Sequence, residues 1–324
     1  MASNLCLVLL DTATFGDASL EALTSQWQCR AYPFTPKGSV ARRLRHSQVA
    51  VVNKVVLDQA ILNSTSAKAL KLVVVAATGT DNIDLEAARR LDIGVCNVPG
   101  YATQAVAQFT MALILELATC AGRYAELVRG GAWERSPVFT VLEYPTVELG
   151  GKVLGIVGYG SIGKTVASMA RAFGLEVLIS ARPGSPEPVP HGRVSFQELL
   201  RRADFVTLHC PLAPNTRSLM DRHAFGRMKP GAFLVNTSRG GLVDADALLE
   251  ALGSKRLAGA ALDVIDQEPP MADQPLVHAA KDLKTLLITP HCAWGTREAR
   301  QRLIGEVAEN IAAYTRGVRR NRVV

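Results

Sequence analysis

Short apolar runs alternate with stretches of helical spacing along most of the chain. "LCLVLLD", "QCRAYPF", "VAVVN", "LVVVAATG" and "GVCNVPG" are rich in apolar and β-branched residues, so they read as strands, with amphipathic segments such as "LEAARRL" between them. Parallel neighbours need a crossover, which such helices supply, so the rhythm predicts a parallel sheet covered on both faces. It breaks after Pro99-Gly100. There "TQAVAQFTMALILELATCAGRYAELVRGG" predicts one long helix, capped by Thr103, ended by Gly130-Gly131 and apolar enough to require burial. A second series follows in "KVLGIVG", "EVLIS", "DFVTLHC", "GAFLVNTS", "LAGAALDV" and "TLLITPH", whose six strands match the size of a dinucleotide-binding fold. The closing segment "TREARQRLIGEVAENIAAYTRG" is an amphipathic helix with no strand left to serve. The expected fold is therefore α/β, with two doubly wound parallel-sheet domains. One is discontinuous, residues 1–99 with 292–324, and the other spans 100–291. The proline-rich "RPGSPEPVPHG", Arg182 to Gly192, reads as a surface loop.

Composition narrows the class. A chain of 324 residues accommodates two cores, and 48% hydrophobic with 20% charged residues is the balance of a globular protein. The start, "MASNLCLVLLDTATFGD", lacks a basic region or cleavage site and no apolar run reaches spanning length, so a cytoplasmic chain without membrane contact is expected. Six cysteines are scattered with no C-x-x-C pair and no His at ligand spacing, which predicts reduced thiols and no metal. The net charge of +7 and the tail "TRGVRRNRVV" raise nucleic acid as a partner. Acidic residues interleave with the remaining basic ones and no recognised nucleic-acid motif is present, so the excess is read instead as focusing small anions.

Candidate chemistry begins at Gly158-Tyr159-Gly160-Ser161-Ile162-Gly163, between the strand "VLGIV" and the helical "KTVASMARAFG". Gly158 permits the turn, Gly160 admits a pyrophosphate to the backbone amides, and Gly163 lets helix and strand approach. The next strand ends 17 residues beyond Gly163, at Ser180, in "LISARPG". An acid there would grip the ribose hydroxyls, but the residues are Ser180, Ala181 and Arg182.

Three later stretches each end a predicted strand: "VNTSRGGLVD" with Arg239, "AALDVIDQEPP" with Glu268 and "LITPHCAWGT" with His291. Alone, each is an unremarkable surface or packing residue. Ends of strands in one sheet are where open α/β sheets bind ligands. With "NVPGYATQAVAQ", "LHCPLAPNTRSLM", "MKPGAFLVNTSRGGLVD", "GAALDVIDQEPP" and "TPHCAW", the chain resembles, over essentially its whole length, the D-isomer-specific 2-hydroxyacid dehydrogenases. "VVNKVVLD", "AATGT", "NVPGY" and Trp294 look most like the glycerate dehydrogenase and hydroxypyruvate reductase branch.

That resemblance implies a Rossmann dinucleotide-binding domain and a flavodoxin-like substrate domain. It assigns catalysis to Arg239, Glu268 and His291, with Asn53, Lys54, Thr78, Gly79 and Trp294 around a small 2-keto or 2-hydroxy acid. Cofactor contacts fall on Val106, the glycine turn, Ser180, Arg182, Cys210, Pro211, Thr216, Thr237, Ser238 and Asp263. The chemistry suits these types: His291 delivers a proton with Glu268 behind it, and Arg239 forks onto carboxylate and carbonyl oxygens. Without an acid at 180–182, NADP(H) is expected to be preferred and NAD(H) accepted, with Ser180 and Arg182 meeting the 2′-phosphate. Cys292 is read as small packing, and His209 as at most packing near the cofactor. A homodimer built around the helix from Thr103 is the family expectation. Phosphite or formate dehydrogenase chemistry on the same fold, and a nucleotide-sensing corepressor, remain as alternatives. Formate enzymes of the family carry Gln where Glu268 stands, and the corepressors carry terminal extensions.

Overall fold

All eleven expected strands form in the computed structural model of the chain, which describes residues 5–182, 184 and 188–324. Pro183 and residues 185–187, within the expected proline-rich loop, lie outside the described residues. The chain divides into two compact units. One runs to Ala102 and resumes with Gly295–Val324, and the other is Thr103–Trp294.

The first unit holds β1 (Cys6–Leu9), β2 (Gln28–Ala31), β3 (Val49–Val52), β4 (Leu72–Val75) and β5 (Gly94–Cys96). All are parallel, in the order β2-β1-β3-β4-β5. The central strands, "VAVV" and "LVVV", are buried at every position, as strands covered on both faces must be. Thr296 caps the final helix, Arg297–Thr315, by accepting from Ala299 N, and Asn310 from that helix donates to the Asn97 carbonyl at 2.9 Å.

The basic tail is tied into this unit. Arg320 pairs with Glu306 and Asn310, Val323 N donates to Val95 O at 2.8 Å, and Cys96 forms an antiparallel bridge with Arg322. Arg320 is neutralised within the unit and Arg322 donates to the Val324 carbonyl, so part of the tail's charge is spent inside the fold.

The second unit holds β6 (Val153–Val157), β7 (Glu176–Ile179), β8 (Phe205–Leu208), β9 (Ala232–Asn236), β10 (Leu257–Leu262) and β11 (Leu286–Ile288). They are parallel in the order β11-β10-β9-β8-β6-β7, which reverses direction between β6 and β8. Side chains alternate across this sheet. Val206, Leu208, Leu234, Ala260 and Leu262 enter one core, while Phe205, Val235 and Ala261 enter the other with Leu154 and Ile156. Each fully buried Leu or Ile contributes about 1.5–3 kcal/mol.

The long helix expected from Thr103 is two helices, Thr103–Thr119 and Ala121–Arg129, bent by 61°. Cys120 between them is left-handed, with φ 52°, and the Glu116 carboxylate turns back to accept from Gly122 N at 3.0 Å. Thr103 is the first helical residue instead of the cap. The apolar face of the first helix is spent within its own unit: Ala107, Met111 and Ile114 share a core with Val166, Ala167 and Ala170 of the helix Ser161–Ala172. Among the described residues, no single helix is long and apolar enough to cross a membrane.

Candidate active site

The glycine turn has the shape its sequence requires. Gly158 sits at φ +99°, where a Cβ would be strained and would lie 2.5 Å from Cys210 N. A Cβ on Gly163 would lie 2.2 Å from the Gly158 carbonyl oxygen, so the helix and the turn touch there. A Cβ on Gly160 would meet nothing within 4 Å, leaving space over the amino end of the helix that starts with Ser161, Ile162 and Gly163. Unpaired amides at such an end suit a pyrophosphate, so this cradle fits a dinucleotide.

The neighbouring strand end differs in part from expectation. Ser180 is buried and its hydroxyl donates to the Ala181 carbonyl at 2.6 Å, so it is turned inward and is not a donor for a phosphate. Ala181 is buried, and Arg182 is exposed. Arg193, passed over in the sequence, donates from Nη1 to the Ser180 carbonyl at 3.0 Å.

At the end of β8, burial pushes the Cys210 thiol up to about 11 and His209 down to about 4. Thr216 closes the following loop, accepting from Ala213 N at 2.7 Å and contacting Pro211 O at 2.8 Å. Ser238 donates to Cys210 O, and Thr237 pairs with Thr110 on the helix that also carries buried Val106. These side chains shape the crevice by bonding to their own chain.

Three adjacent strands bring the candidate catalytic groups to one edge of the sheet. Arg239 follows β9, Glu268 follows β10 and His291 follows β11. His291 Nδ1 lies 2.5 Å from Glu268 Oε2, while Glu268 Oε1 accepts from Ile265 N at 3.0 Å. One carboxylate thus grips both the ring and its own loop, and leaves Nε2 as the other reactive nitrogen.

Arg239 Nη1 donates to the Ser238 carbonyl at 2.9 Å, and Asn236 Nδ2 donates to the Arg239 carbonyl. Gly240, also passed over in the sequence, lets the two loops meet: a Cβ there would stand 1.9 Å from the carbonyl carbon of Ile265. The nearest sequence signal is the Gly-Gly pair itself.

Asp263, expected at the cofactor, has its carboxylate committed to the His291 loop. It accepts from Thr289 Oγ1 at 2.6 Å, Cys292 N at 2.9 Å and Ala293 N at 2.9 Å, while its carbonyl accepts from His291 N. This clamp holds His291 at φ 52°, a left-handed position uncommon for a side chain with a Cβ. Cys292 is exposed and is not packing, and desolvation with the neighbouring Asp263 charge pushes its thiol up, away from a nucleophilic thiolate. Trp294, half-buried, ends the unit.

In the first unit, a third residue missed in the sequence organises the expected substrate loop. Asp11, buried after β1, accepts from the amides of Asn53, Lys54 and Val55 at 2.6–3.1 Å. Asn53 in turn donates to Thr14 Oγ1. Thr78 donates to Val98 O at 3.0 Å, and Asn97 holds the Thr78 carbonyl, fixing the turn that carries Gly79. Among the described residues no group of three or more His, Cys, Asp or Glu gathers to hold a metal ion.

Known proteins resolve what this arrangement belongs to. Residues 111–293 match the D-isomer specific 2-hydroxyacid dehydrogenase, NAD binding domain, family. The chain is 37% identical to a glycerate dehydrogenase of Methylorubrum extorquens over 97% of its own length and 98% of that protein's. It is 34% identical to a hydroxypyruvate reductase of Blautia hydrogenotrophica, over 93% and 94% respectively. Among solved structures, an acyclic imino acid reductase (Bsp5) in complex with NADPH and D-Arg superposes with a TM-score of 0.85 at 26% identity, covering 99% of this chain and 100% of that one. The chain therefore belongs to the D-isomer specific 2-hydroxyacid dehydrogenases, a family of NAD(P)-binding oxidoreductases.

Proposed function

We propose that the protein reduces hydroxypyruvate and glyoxylate to the D-2-hydroxy acids, reversibly, with NADP(H) preferred and NAD(H) accepted. The observation that carries the reading is the His291 Nδ1 to Glu268 Oε2 contact, at strand ends beside Arg239 and in the sheet that bears the glycine turn. A reduced nicotinamide dinucleotide supplies the hydride. His291 holds, on Nε2, the proton that the carbonyl oxygen takes up, and Glu268, bonded to Nδ1, fixes the plane of the ring. In the oxidative direction the same nitrogen accepts the proton. Arg239 orients the carboxylate and polarises the carbonyl through its planar fork.

Asn53, Lys54, Thr78 and Gly79 are the first-unit residues assigned to the substrate, and Trp294 is assigned to limiting its length. Relatives named glycerate dehydrogenase and hydroxypyruvate reductase support the substrate class. The NADPH of the imino acid reductase and the neutral Ala181 support the cofactor. A homodimer belongs to the same reading.

Steady-state oxidation of NADPH and of NADH with hydroxypyruvate, glyoxylate and longer 2-keto acids tests the proposal. Turnover of hydroxypyruvate, strongly reduced in His291→Ala, is the expected result. Turnover of phosphite with none of any keto acid would overturn it.

A further inference from the structure

Two guanidinium groups, not one, stand at the end of β7. The chain leaves that strand through Ala181 and the exposed Arg182, then returns alongside it. Val194 N donates to Ile179 O at 2.9 Å and Ala181 N to Val194 O at 2.8 Å, a parallel bridge between Ser180 and Val194. This pairing fixes the backbone of Arg193. Its Nη1 is bonded to the Ser180 carbonyl, and its guanidinium carbon lies 5.8 Å from the ring centroid of Tyr159, the second residue of the glycine turn.

We infer that Arg193, held between the end of β7 and Tyr159, is the residue that selects a 2′-phosphorylated adenine dinucleotide. The inference rests on the NADP(H) reading above. In a doubly wound sheet the turn after the first strand meets the pyrophosphate and the end of the second strand meets the adenosine ribose, so the 2′ position falls beside both. Arg193 is bonded to the strand end and stands 5.8 Å from the ring centroid of Tyr159 in the turn. A guanidinium has five donors in a plane, and the Ser180 carbonyl takes one. Arg193 is half-buried and tethered, so it has already given up rotamer freedom that the exposed Arg182 must lose on binding. Arg182 adds positive field. The buried, neutral Ala181 sets no charge against the phosphate.

The test compares dissociation constants for NADPH and NADH, read from nicotinamide fluorescence, in wild type, Arg193→Gln, Arg193→Lys and Arg182→Gln. Thermal shifts with adenosine 2′,5′-bisphosphate and adenosine 5′-monophosphate provide a readout independent of turnover. Arg193→Gln is expected to weaken NADPH about tenfold, the loss of one charge-assisted contact, and NADH by a much smaller factor. Arg182→Gln should discriminate less, and Arg193→Lys should recover part of the preference because the charge remains. If Arg193→Gln does not fold, Arg193→Lys decides: a retained but reduced preference supports the assignment, and an unchanged one sinks it. Equal weakening of both cofactors by Arg193→Gln would make Arg193 an anchor for the strand end and overturn its selective role. A wild type that prefers NADPH alongside an indifferent Arg193→Gln removes Arg193 alone. A wild type with no preference for the bisphosphate removes the NADP(H) reading and this inference together.

Discussion

At Gly240 there is no room for a side chain, and the consequence reaches Arg239 beside it. A Cβ 1.9 Å from the Ile265 carbonyl carbon must push the Arg239 loop away from the loop that carries Glu268. Gly240→Ala is therefore expected to cost on the order of a hundredfold in kcat/KM with a smaller change in nucleotide affinity, measured by steady-state kinetics and fluorescence titration. His291→Ala should lose about a hundredfold or more in kcat while NADPH still binds. Glu268→Gln keeps the shape but weakens the grip on His291 Nδ1, so kcat should fall while NADPH affinity holds; an unchanged kcat would count against the pair. Arg239, Glu268 and His291 are legible in the sequence because each closes an apolar strand within a long motif. Gly240 and Asp11 are not, since their importance lies in a contact with a distant segment. Ser180 shows the opposite failure: its position is legible, but the direction of its hydroxyl is decided by burial.

Strands are the most legible elements, because runs such as "VAVVN" and "LVVVAATG" satisfy only a sheet covered on both faces. The break at Cys120 is hidden because the left-handed residue is a cysteine and not a glycine, and the turn is held by Glu116 from the preceding helix. The bridge at Val194 is hidden as well, since a proline-rich stretch reads as loop up to the residue where pairing resumes. The end of β8 carries a pH dependence. Burial holds His209 neutral down to about 4, against 6.5 for an ordinary histidine, with Thr207 Oγ1 at 3.1 Å from its Nε2. Between those values the unfolded chain binds the proton more readily, so this contribution is intact above about pH 6.5 and is lost as pH falls toward 4. His209 as a residue is only half-buried, so the loss is about 1–3 kcal/mol. Thermal melts across this range should slope less steeply in His209→Gln than in wild type, and identical slopes would refute the assignment.

At the scale of the molecule, exposed apolar residues gather just after the helical stretch expected to make the dimer. Phe139 is 90% and Leu142 85% exposed, with Trp133 and Val138 also open to solvent. Such a concentration in one segment is the signature of an interaction surface, and a second copy is the occupant the homodimer reading requires. Phe139→Ser with Leu142→Ser should shift the mass in sedimentation from dimer toward monomer, whereas a wild type sedimenting as a monomer would remove the dimer from the reading. The tail carries a different lesson. Its backbone closes the outer side of β5 through Val95 and Asn97, and the Arg322 guanidinium lies over Gly94, so residues that look like a cationic lure for nucleic acid serve as a hem on an otherwise ragged sheet. Unpicking that hem, by deleting residues 322–324, should leave the strand free to stitch itself to its like in neighbouring molecules, and light scattering on warming would show clumping at lower temperature than in the intact chain.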